Sequence, residues 1–569
     1  VPTPSPSALQ FATLWAISQQ FALAVRRSSI LTVAIAQSCA LKVKRKRFNC
    51  DSKSSLWPTA CRNSRSFLVC SFVEETAMWL LIPILFYSVI FLYIRHIYTY
   101  WKRKGFPTER TGLSWRFLKQ VYRREFHYVS AINEAYKAGG ERPLYGVYFF
   151  FRPTLLVRDV ALARTILEIP HGHFDDKRWH YMQGYRKINL LEKLASIFSV
   201  QRVEGMFRNV EKVADHMVKQ MDAITVGSEQ LDMQIVLRTY VINVFANLLY
   251  GLDTNLFEPN DSVFKRYIQS TLRNRGINSY TFNHLPKKSS LTYRLRDIIR
   301  DSVGRREDGG IIRKDIMQLL VKFRNGNNLT NNSKLNWHVE NVFEREKLLS
   351  IKKLSKIAER FLNIGYESTA SAATLTLYEI LQSPSIHKNV LEEIRQMSVA
   401  KKNADNTDNR LTYADIDSLQ YLSACIKETV RKYPSVPYIE RVCCKNFPIP
   451  NSRATINEGR TVMVPVMAMQ RDERNFKDPD YYRPERFYNV TSGPELDNFI
   501  GFGLGASVCV ARNFASLVIK LALVKLLLNL DMEYTPKKDV QILHNPAPVI
   551  KSKDGFKIRL KKYMNNTLL

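Results

Sequence analysis

The sequence predicts a mainly α-helical chain with small β-sheets, preceded by an N-terminal transmembrane anchor helix. Three observations predict it. Apolar residues recur at helical spacing through much of residues 108–310, and again in one long run from Leu348 to Gln382 that stops before Pro384. Thr461–Met469 reads as strand, and Phe556–Lys561 alternates apolar with basic residues as a half-buried edge strand does. Met78–Ile94 is a run of 17 residues without a charge, the short end of what spans a bilayer as a helix.

Residues 1–77 differ from the rest. They hold ten Lys/Arg against three acids (Asp51, Glu74, Glu75), and the first methionine of the chain is Met78. An organelle transit peptide has this composition, but an anchor follows directly. We therefore expect 1–77 to be an extension outside the fold, with Met78 as the start, and give Lys42–Arg47 (KVKRKR) no weight as a nuclear signal. Residues 78–100 form the expected anchor, where Pro83 and Ser88 are tolerable. Arg95, Lys102, Arg103 and Lys104 follow it, which places the rest of the chain in the cytosol. Tyr93, Tyr98, Tyr100 and Trp101 suit the membrane interface, and Gly105-Phe106-Pro107 ends the helix. The globular part is then 101–569.

Lys and Arg exceed Asp and Glu by 84 to 52, a net +32. Such an excess suits an anionic membrane or an acidic protein. The basic residues are spread over the chain without a nucleic-acid motif, so nucleic acid is not an expected partner. Of the eight cysteines, four (Cys39, Cys50, Cys61, Cys70) precede Met78; Cys425, Cys443, Cys444 and Cys509 complete the set without zinc spacing. His171 and His173 flank Gly172 and read as a surface turn, because no third ligand stands at metal spacing. Arg313–Arg324 reads as an amphipathic helix, and the Asn-rich 325–336 as a loop.

The Leu348–Gln382 helix carries Ile364-Gly365-Tyr366-Glu367-Ser368-Thr369 at its centre. A mid-helix glycine costs about 1 kcal/mol relative to Ala, so Gly365 needs a reason: a flat ligand lying against the helix, or a helix–helix contact. Ser and Thr hydroxyls bond the i−4 carbonyl and can open a turn, and Glu367 with Ser368 suits a proton relay. Further on, Leu419, Leu422, Ile426 and Val430 have helical spacing and Pro434 ends the run. Glu428 and Arg431 are i,i+3 neighbours on that helix.

The chain is organised around Phe502-Gly503-Leu504-Gly505-Ala506-Ser507-Val508-Cys509-Val510-Ala511. Gly503 and Gly505 permit positive φ and close backbone approach. A helical pattern follows, so Cys509 is expected at a helix N-terminus, where the dipole favours thiolate. A thiolate on a rigid loop suits an axial iron ligand. The plain alternative is a buried structural cysteine.

Phe502-x-x-Gly505-x-x-x-Cys509 resembles the haem-ligand signature of the haem-thiolate monooxygenases, the cytochrome P-450 family. Three further stretches match in the expected order: Ile364–Thr369, Glu428-x-x-Arg431 and Pro484-Glu485-Arg486-Phe487. Likeness covers about 78–569, and local wording such as Arg431–Pro437 looks most like the microsomal, detoxification-type branch of insects. The resemblance implies one large unit with the cytochrome P-450 fold and haem b on the Cys509 sulfur, with Phe502, Gly505, Gly365, Ser507 and Ala511 beside it. It implies Arg441 on a haem propionate, as suits a guanidinium fork. Glu367, Ser368 and Thr369 would deliver protons during oxygen activation. Glu428 and Arg431 would form a buried support on the side of the Cys loop, with Arg431 also meeting the Pro484-Glu485-Arg486-Phe487 segment, and the turn near Pro546–Pro548 would contact substrate. It further implies a lipophilic substrate (xenobiotic, steroid or fatty-acid-like), electrons from an NADPH-dependent flavoprotein reductase with cytochrome b5 as a further donor, and residence in the endoplasmic reticulum membrane facing the cytosol.

The chain departs from that pattern in places. Ile364 replaces a small residue, and Ser368 stands where Thr is usual, losing the methyl that fixes its rotamer. Ser507 stands where a basic residue is usual and Ala511 where Gly is. The Trp-x-x-x-Arg helix expected near 185–195 shows Lys187 and Leu191, although Lys187 or Lys193 offers a substitute charge. Only Arg441 remains of three arginines expected at the propionates, and each lost charge-assisted bond costs about 1.5–3 kcal/mol. The alternative reading is a non-catalytic or decayed homologue that binds haem or a lipophile weakly.

Overall fold

The computed structural model describes residues 82, 84–108, 128–149, 152–169, 173–176, 194–225, 230–258, 264–266, 290–326, 336–340, 342–403, 410–450, 454–505, 508–534, 542–544, 550–552 and 555–562. The chain divides into two units, Val1–Phe91 and Leu92–Leu569. In the first, residues 84–91 are helical and their apolar side chains, from Ile84 to Phe91, stand exposed. Among the described residues no helix is long and apolar enough to cross a membrane. Met78–Leu81 and Pro83 of the expected anchor lie outside the described residues.

The second unit is mainly helical. In chain order its chief elements are α1 (Tyr100–Arg103), α2 (Tyr128–Ala138), β1 (Leu144–Phe149), β2 (Arg152–Val157), α3 (Val160–Glu168), β3 (Phe174–Asp176), α4 (Val200–Thr225), β4 (Gln230–Asp232) and α5 (Met233–Tyr250). Next come α6 (Ser290–Glu307), α7 (Ile316–Arg324), α8 (Ile351–Gln382), α9 (Pro384–Asn403), α10 (Tyr413–Asp417), α11 (Gln420–Lys432), β5 (Ile439–Cys443), β6 (Phe447–Pro448), β7 (Thr455–Ile456), β8 (Thr461–Val464) and α12 (Val466–Met469). The last are α13 (Pro494–Asn498), α14 (Arg512–Asn529), β9 (Leu530–Glu533), β10 (Ile542–His544), β11 (Ile550–Ser552) and β12 (Lys557–Lys562).

Polar caps set where the helices begin. Ser350 accepts from the Lys353 amide at the start of α8, and Asp232 from the Gln234 amide at the start of α5; each satisfies an orphan donor. α8 runs 32 residues without a break, about 48 Å, and crosses the helical core. That core is built from the apolar faces of α4, α5, α7, α8, α11 and α14. A second core packs α1, α2 and α3 around a five-stranded sheet of order β1-β2-β8-β5-β3, in which only β2–β8 is parallel. A three-stranded sheet, β4-β12-β9, lies by α5 and α14.

Several expectations are corrected here. Trp101 does not sit at a membrane interface: it is buried on β1, its Nε1 donating to the Val147 carbonyl at 3.2 Å and its amide to Tyr148 Oη at 3.0 Å. The reason is Gly146, whose missing side chain leaves room for the indole. Tyr98 joins it, 5.0 Å from the Tyr148 ring. The expected amphipathic helix at Arg313–Arg324 starts only at Ile316, capped by Asp315, and α7 is buried on every face. Its polar residues are tolerated because each has partners: Gln318 donates to Trp337, Lys322 to Asn336, and Arg324 pairs with Glu307 and Glu344. The Thr461–Met469 strand is cut at Pro465 and finishes as α12. β12 is no edge: alternation reported one buried face, with Ile558 and Leu560, but both of its sides are hydrogen-bonded, to β4 and β9. Residues 1–77, His171, the Asn-rich 327–335, Lys187, Leu191, Lys193, Ser507 and the Pro546–Pro548 turn lie outside the described residues.

Candidate functional site: the Cys509 loop and the centre of the long helix

The loop is tied at both ends. The Cys509 amide donates to the Phe502 carbonyl at 2.7 Å, and the Val508 amide to Gly505 at 3.1 Å. Gly503 and Gly505 take φ of +72° and +54°, a region that side chains make costly. At Gly505 space decides as well: a Cβ would overlap the Leu167 carbonyl at the end of α3. The glycine is therefore required by the closeness of α3.

Cys509 lies three residues before α14; the residue as a whole is exposed, yet its thiol is largely enclosed by protein. The expected thiolate preference is not met. Burial pushes the thiol up, and the Ala511 amide and Arg512 charge that favour the thiolate do not offset it. Of the free amides at the start of α14 only that of Ala511 acts on the sulfur, and burial outweighs it. A metal can still deprotonate such a sulfur outright.

Beneath the loop, Glu428 and Arg431 of α11 are wholly buried. Arg431 donates Nε to Glu428 Oε2 at 2.7 Å and Nη2 to Oε1 at 2.8 Å. Its remaining donors reach the carbonyls of Gln470 and Pro479, each at 2.7 Å. The Pro484–Arg486 turn meets the pair through Glu428 rather than Arg431: Arg486 Nε stands 3.5 Å from Glu428 Oε1, and the Arg483 amide donates to the same oxygen at 2.9 Å. Pro484 is buried as the first residue of that turn.

Gln470 was not singled out in the sequence. Fully buried, it donates to the Arg431 carbonyl at 3.0 Å and accepts from the Ile500 amide at 3.1 Å; the Gly503 amide in turn donates to Ile500 at 2.9 Å. It thus joins the ion pair to the cysteine loop. A lone glutamine between an apolar run and Arg471 was its only signal in the sequence.

Aromatic rings connect α14 to the centre of α8. Phe514 lies 6.0 Å from Phe245 of α5 and 5.8 Å from Phe198, which lies 5.6 Å from Phe361. A Cβ on Gly365 would stand 2.6 Å from Phe245 Cζ. The mid-helix glycine is thus explained by the helix–helix contact that stood as the alternative to a ligand surface. Ser368 Oγ donates to the Ile364 carbonyl at 2.9 Å, as expected, yet the helix stays closed. Glu367 is buried and its Oε1 accepts from Arg238 Nη2 at 2.8 Å, and Thr369 is buried as well. Ile364, one turn before Ser368, is 67% exposed. Arg441 is buried in β5 between Asp176 of β3 and Val462 of β8.

The residues present fit a haem. A loop anchored through the Phe502 carbonyl carries one soft sulfur donor, and a buried arginine, Arg441, suits a carboxylate. The cytochrome P450 family model matches residues 177–560. The chain is 48% identical over 501 residues to the probable cytochrome P450 310a1 of Drosophila melanogaster, covering 86% of this chain and 99% of that protein. It is 29% identical over 522 residues to cytochrome P450 6d3 of Musca domestica, covering 85% and 98%. To the probable cytochrome P450 6d5 of Drosophila melanogaster it is 30% identical over 504 residues, covering 83% and 97%. With a cysteine on its glycine loop and a family model over most of its length, this chain belongs to the cytochrome P450 family, as a monooxygenase of the insect type with haem b as cofactor.

Proposed function

We propose that this protein is a membrane-anchored haem-thiolate monooxygenase that inserts one oxygen atom from O2 into a lipophilic substrate, with electrons from an NADPH-dependent flavoprotein reductase. The observation that carries the reading is Cys509 on a glycine loop pinned by the Phe502 carbonyl just before α14. Haem, when held there, supplies the iron at which dioxygen is activated. The chain's own residues do the rest. Cys509 would hold the iron through its sulfur, giving up its proton on binding. Phe502 and Gly505 hold the loop's shape, Ala511 follows it at the start of α14, and Arg441 would take a propionate. Gly365 lets α8 settle against α5 and so approach the loop. Ser368 donates into the helix and retains acceptor capacity on its oxygen, so it can accept a proton and hand it on. Glu367, steadied by Arg238, is the acid behind it, and Thr369 supports the turn from its buried side.

The exposed apolar residues 84–93 and the cations Arg95, Lys102, Arg103 and Lys104 after them support an anchor in the endoplasmic reticulum with the enzyme facing the cytosol. The net +32 supports docking of an acidic reductase, and of cytochrome b5 as a second donor. The test is the carbon monoxide difference spectrum of the reduced protein. A long-wavelength Soret band is expected in the wild type and its loss in Cys509→Ser; a wild type without that band refutes the reading.

A further inference from the structure

The loop that carries Cys509 closes its hydrogen bonds on itself. The Gly503 amide donates to the Ile500 carbonyl at 2.9 Å, the Val508 amide to Gly505 at 3.1 Å and the Cys509 amide to Phe502 at 2.7 Å. Among the described residues, the stretch 500–511 makes a single hydrogen bond to another part of the chain before α14 begins. It runs from the Ile500 amide to Gln470 Oε1 at 3.1 Å. The approach of Gly505 to the Leu167 carbonyl is steric and adds no such bond.

Gln470 is itself held still. It is fully buried at the end of α12. Its amide donates to the Val466 carbonyl at 2.9 Å, and its carbonyl accepts from Arg431 Nη1 at 2.7 Å. From that fixed base Nε2 donates to the carbonyls of Arg431 at 3.0 Å and Val430 at 3.3 Å. These lie in the last turn of α11, where carbonyls have no helical partner. The position needs a donor toward α11 and an acceptor toward Ile500 in one side chain; a carboxylate lacks the first and a thioether offers neither bond well. Shape fixes the same point from another side. A Cβ on Gly501 would stand 2.7 Å from Val430 Cγ1 and 3.0 Å from the Phe499 ring. The root of the loop thus rests directly on the last turn of α11, with one polar tie and no spare room.

We propose that Gln470 is a positioning residue that holds the root of the Cys509 loop on α11, so that without it the sulfur comes away from the haem iron while the rest of the chain stays folded. The inference rests on the reading of Cys509 as the iron ligand and adds what keeps that ligand in place. Ile500 and Cys509 are nine residues apart in sequence, yet the Ile500–Gly503 and Phe502–Cys509 bonds join them through the backbone. Removing Gln470 leaves the buried Ile500 amide without its acceptor, a cost larger than the bond's own net worth. A stretch with no second polar tether relieves that cost by moving. The movement need not unfold the chain, because Ile500 packs in the core around the five-stranded sheet whereas α8, α11 and α14 pack in the helical core.

The test uses the full-length haem-loaded protein, reduced under carbon monoxide and titrated with urea. Two midpoints are read: conversion of the long-wavelength Soret band to the shorter-wavelength band of haem without its sulfur, and loss of helix by circular dichroism. The wild type is compared with Gln470→Met, which keeps the volume and removes both ties, and with Glu393→Gln. Glu393 of α9 accepts from the Tyr421 and Leu422 amides at 2.6 and 2.9 Å, so its variant loosens the same helix at the opposite end. Below the unfolding transition, Gln470→Met should lower the ratio of sulfur-bound to sulfur-free haem by about fivefold or more against the wild type. Its band should convert well before its helices melt. Glu393→Gln should lower both midpoints together. A Gln470→Met protein whose two midpoints also move together, or whose band ratio matches the wild type, overturns the proposal. If Gln470→Met does not fold, Gly501→Ala decides by the same comparison, since it pushes the loop's root off Val430. A wild type without the long-wavelength band overturns instead the reading of Cys509 on which the proposal rests, so the two failures are told apart.

Discussion

Replacing Arg431 by Met asks how much the buried pair beneath the cysteine loop is worth. Arg431 makes four short hydrogen bonds, two to Glu428 and one each to the Gln470 and Pro479 carbonyls, with both charged partners at 0% exposure. The variant keeps most of the volume and removes the charge. Glu428 would retain only Arg486 at 3.5 Å and the Arg483 amide at 2.9 Å. Removing one member of a buried pair costs about 3–5 kcal/mol, because the other stays buried and uncompensated. Two orphaned carbonyls add about 1 kcal/mol or more each. Against a total stability of about 5–15 kcal/mol, the loss is a large share. The assay is urea unfolding of the full chain followed by fluorescence, with Glu428→Gln and the double variant alongside. The double variant should cost less than the sum of the singles by about 2 kcal/mol, since it no longer buries an unpaired charge. Because Gln470 joins the pair to Ile500, Arg431→Met should also weaken haem retention. A cost under about 1 kcal/mol, or strict additivity, would refute this account.

Other outcomes follow from single contacts. Gly365→Ala puts a Cβ 2.6 Å from Phe245 Cζ; overpacking of about 1–3 kcal/mol should outweigh the helix-propensity gain of about 1, and Phe245→Leu in the same chain should recover part of it, as thermal melts would show. Gly505→Ala combines a φ of +54° with overlap at the Leu167 carbonyl, so it should lower haem occupancy, measured as Soret absorbance per chain; unchanged occupancy would mean that α3 yields. Burial pushes the Asp472 carboxyl up, but hydrogen bonds from Arg474 and Tyr136 outweigh it and hold the group at about 2. A depressed carboxylate stabilises the fold above its unfolded value, near 3.8, and loses that contribution as pH falls through about 2. Asp472→Asn should therefore flatten the acid limb of the stability profile by up to about 2 kcal/mol, less after screening at the half-exposed Arg474; parallel acid limbs would show that the contact is inert.

What was legible in the sequence was whatever depends on residues close together along the chain. The glycines before Cys509, the stop of α8 before Pro384 and the i,i+3 pair Glu428–Arg431 are of this kind, and the long helix was misplaced only at its start, Ile351 in place of Leu348. What was hidden depends on partners from far away. Trp101 reads as an interfacial aromatic until Gly146 is seen to make room for it. The polar residues of α7 imply a wet face until Trp337, Asn336 and Glu307 arrive to satisfy them. Period-2 alternation reports which face of β12 is buried and says nothing of how many neighbours share its hydrogen bonds. Gln470 matters only because two distant segments, the end of α11 and Ile500, converge on its side-chain amide. The cysteine thiol goes the other way from the dipole argument, since burial depends on everything packed round the loop.

The position of β12 bears on how this protein is made. The Phe556 amide donates to Asp232, 324 residues earlier, and β12 lies between β4 and β9. At about 5–20 residues per second, β4 leaves the ribosome roughly 15–65 s before its neighbour exists. During that interval its backbone edge beside the start of α5 is unpaired, available to a chaperone or to another nascent chain. A premature stop that spares the cysteine and α14 would leave that waiting edge permanently open.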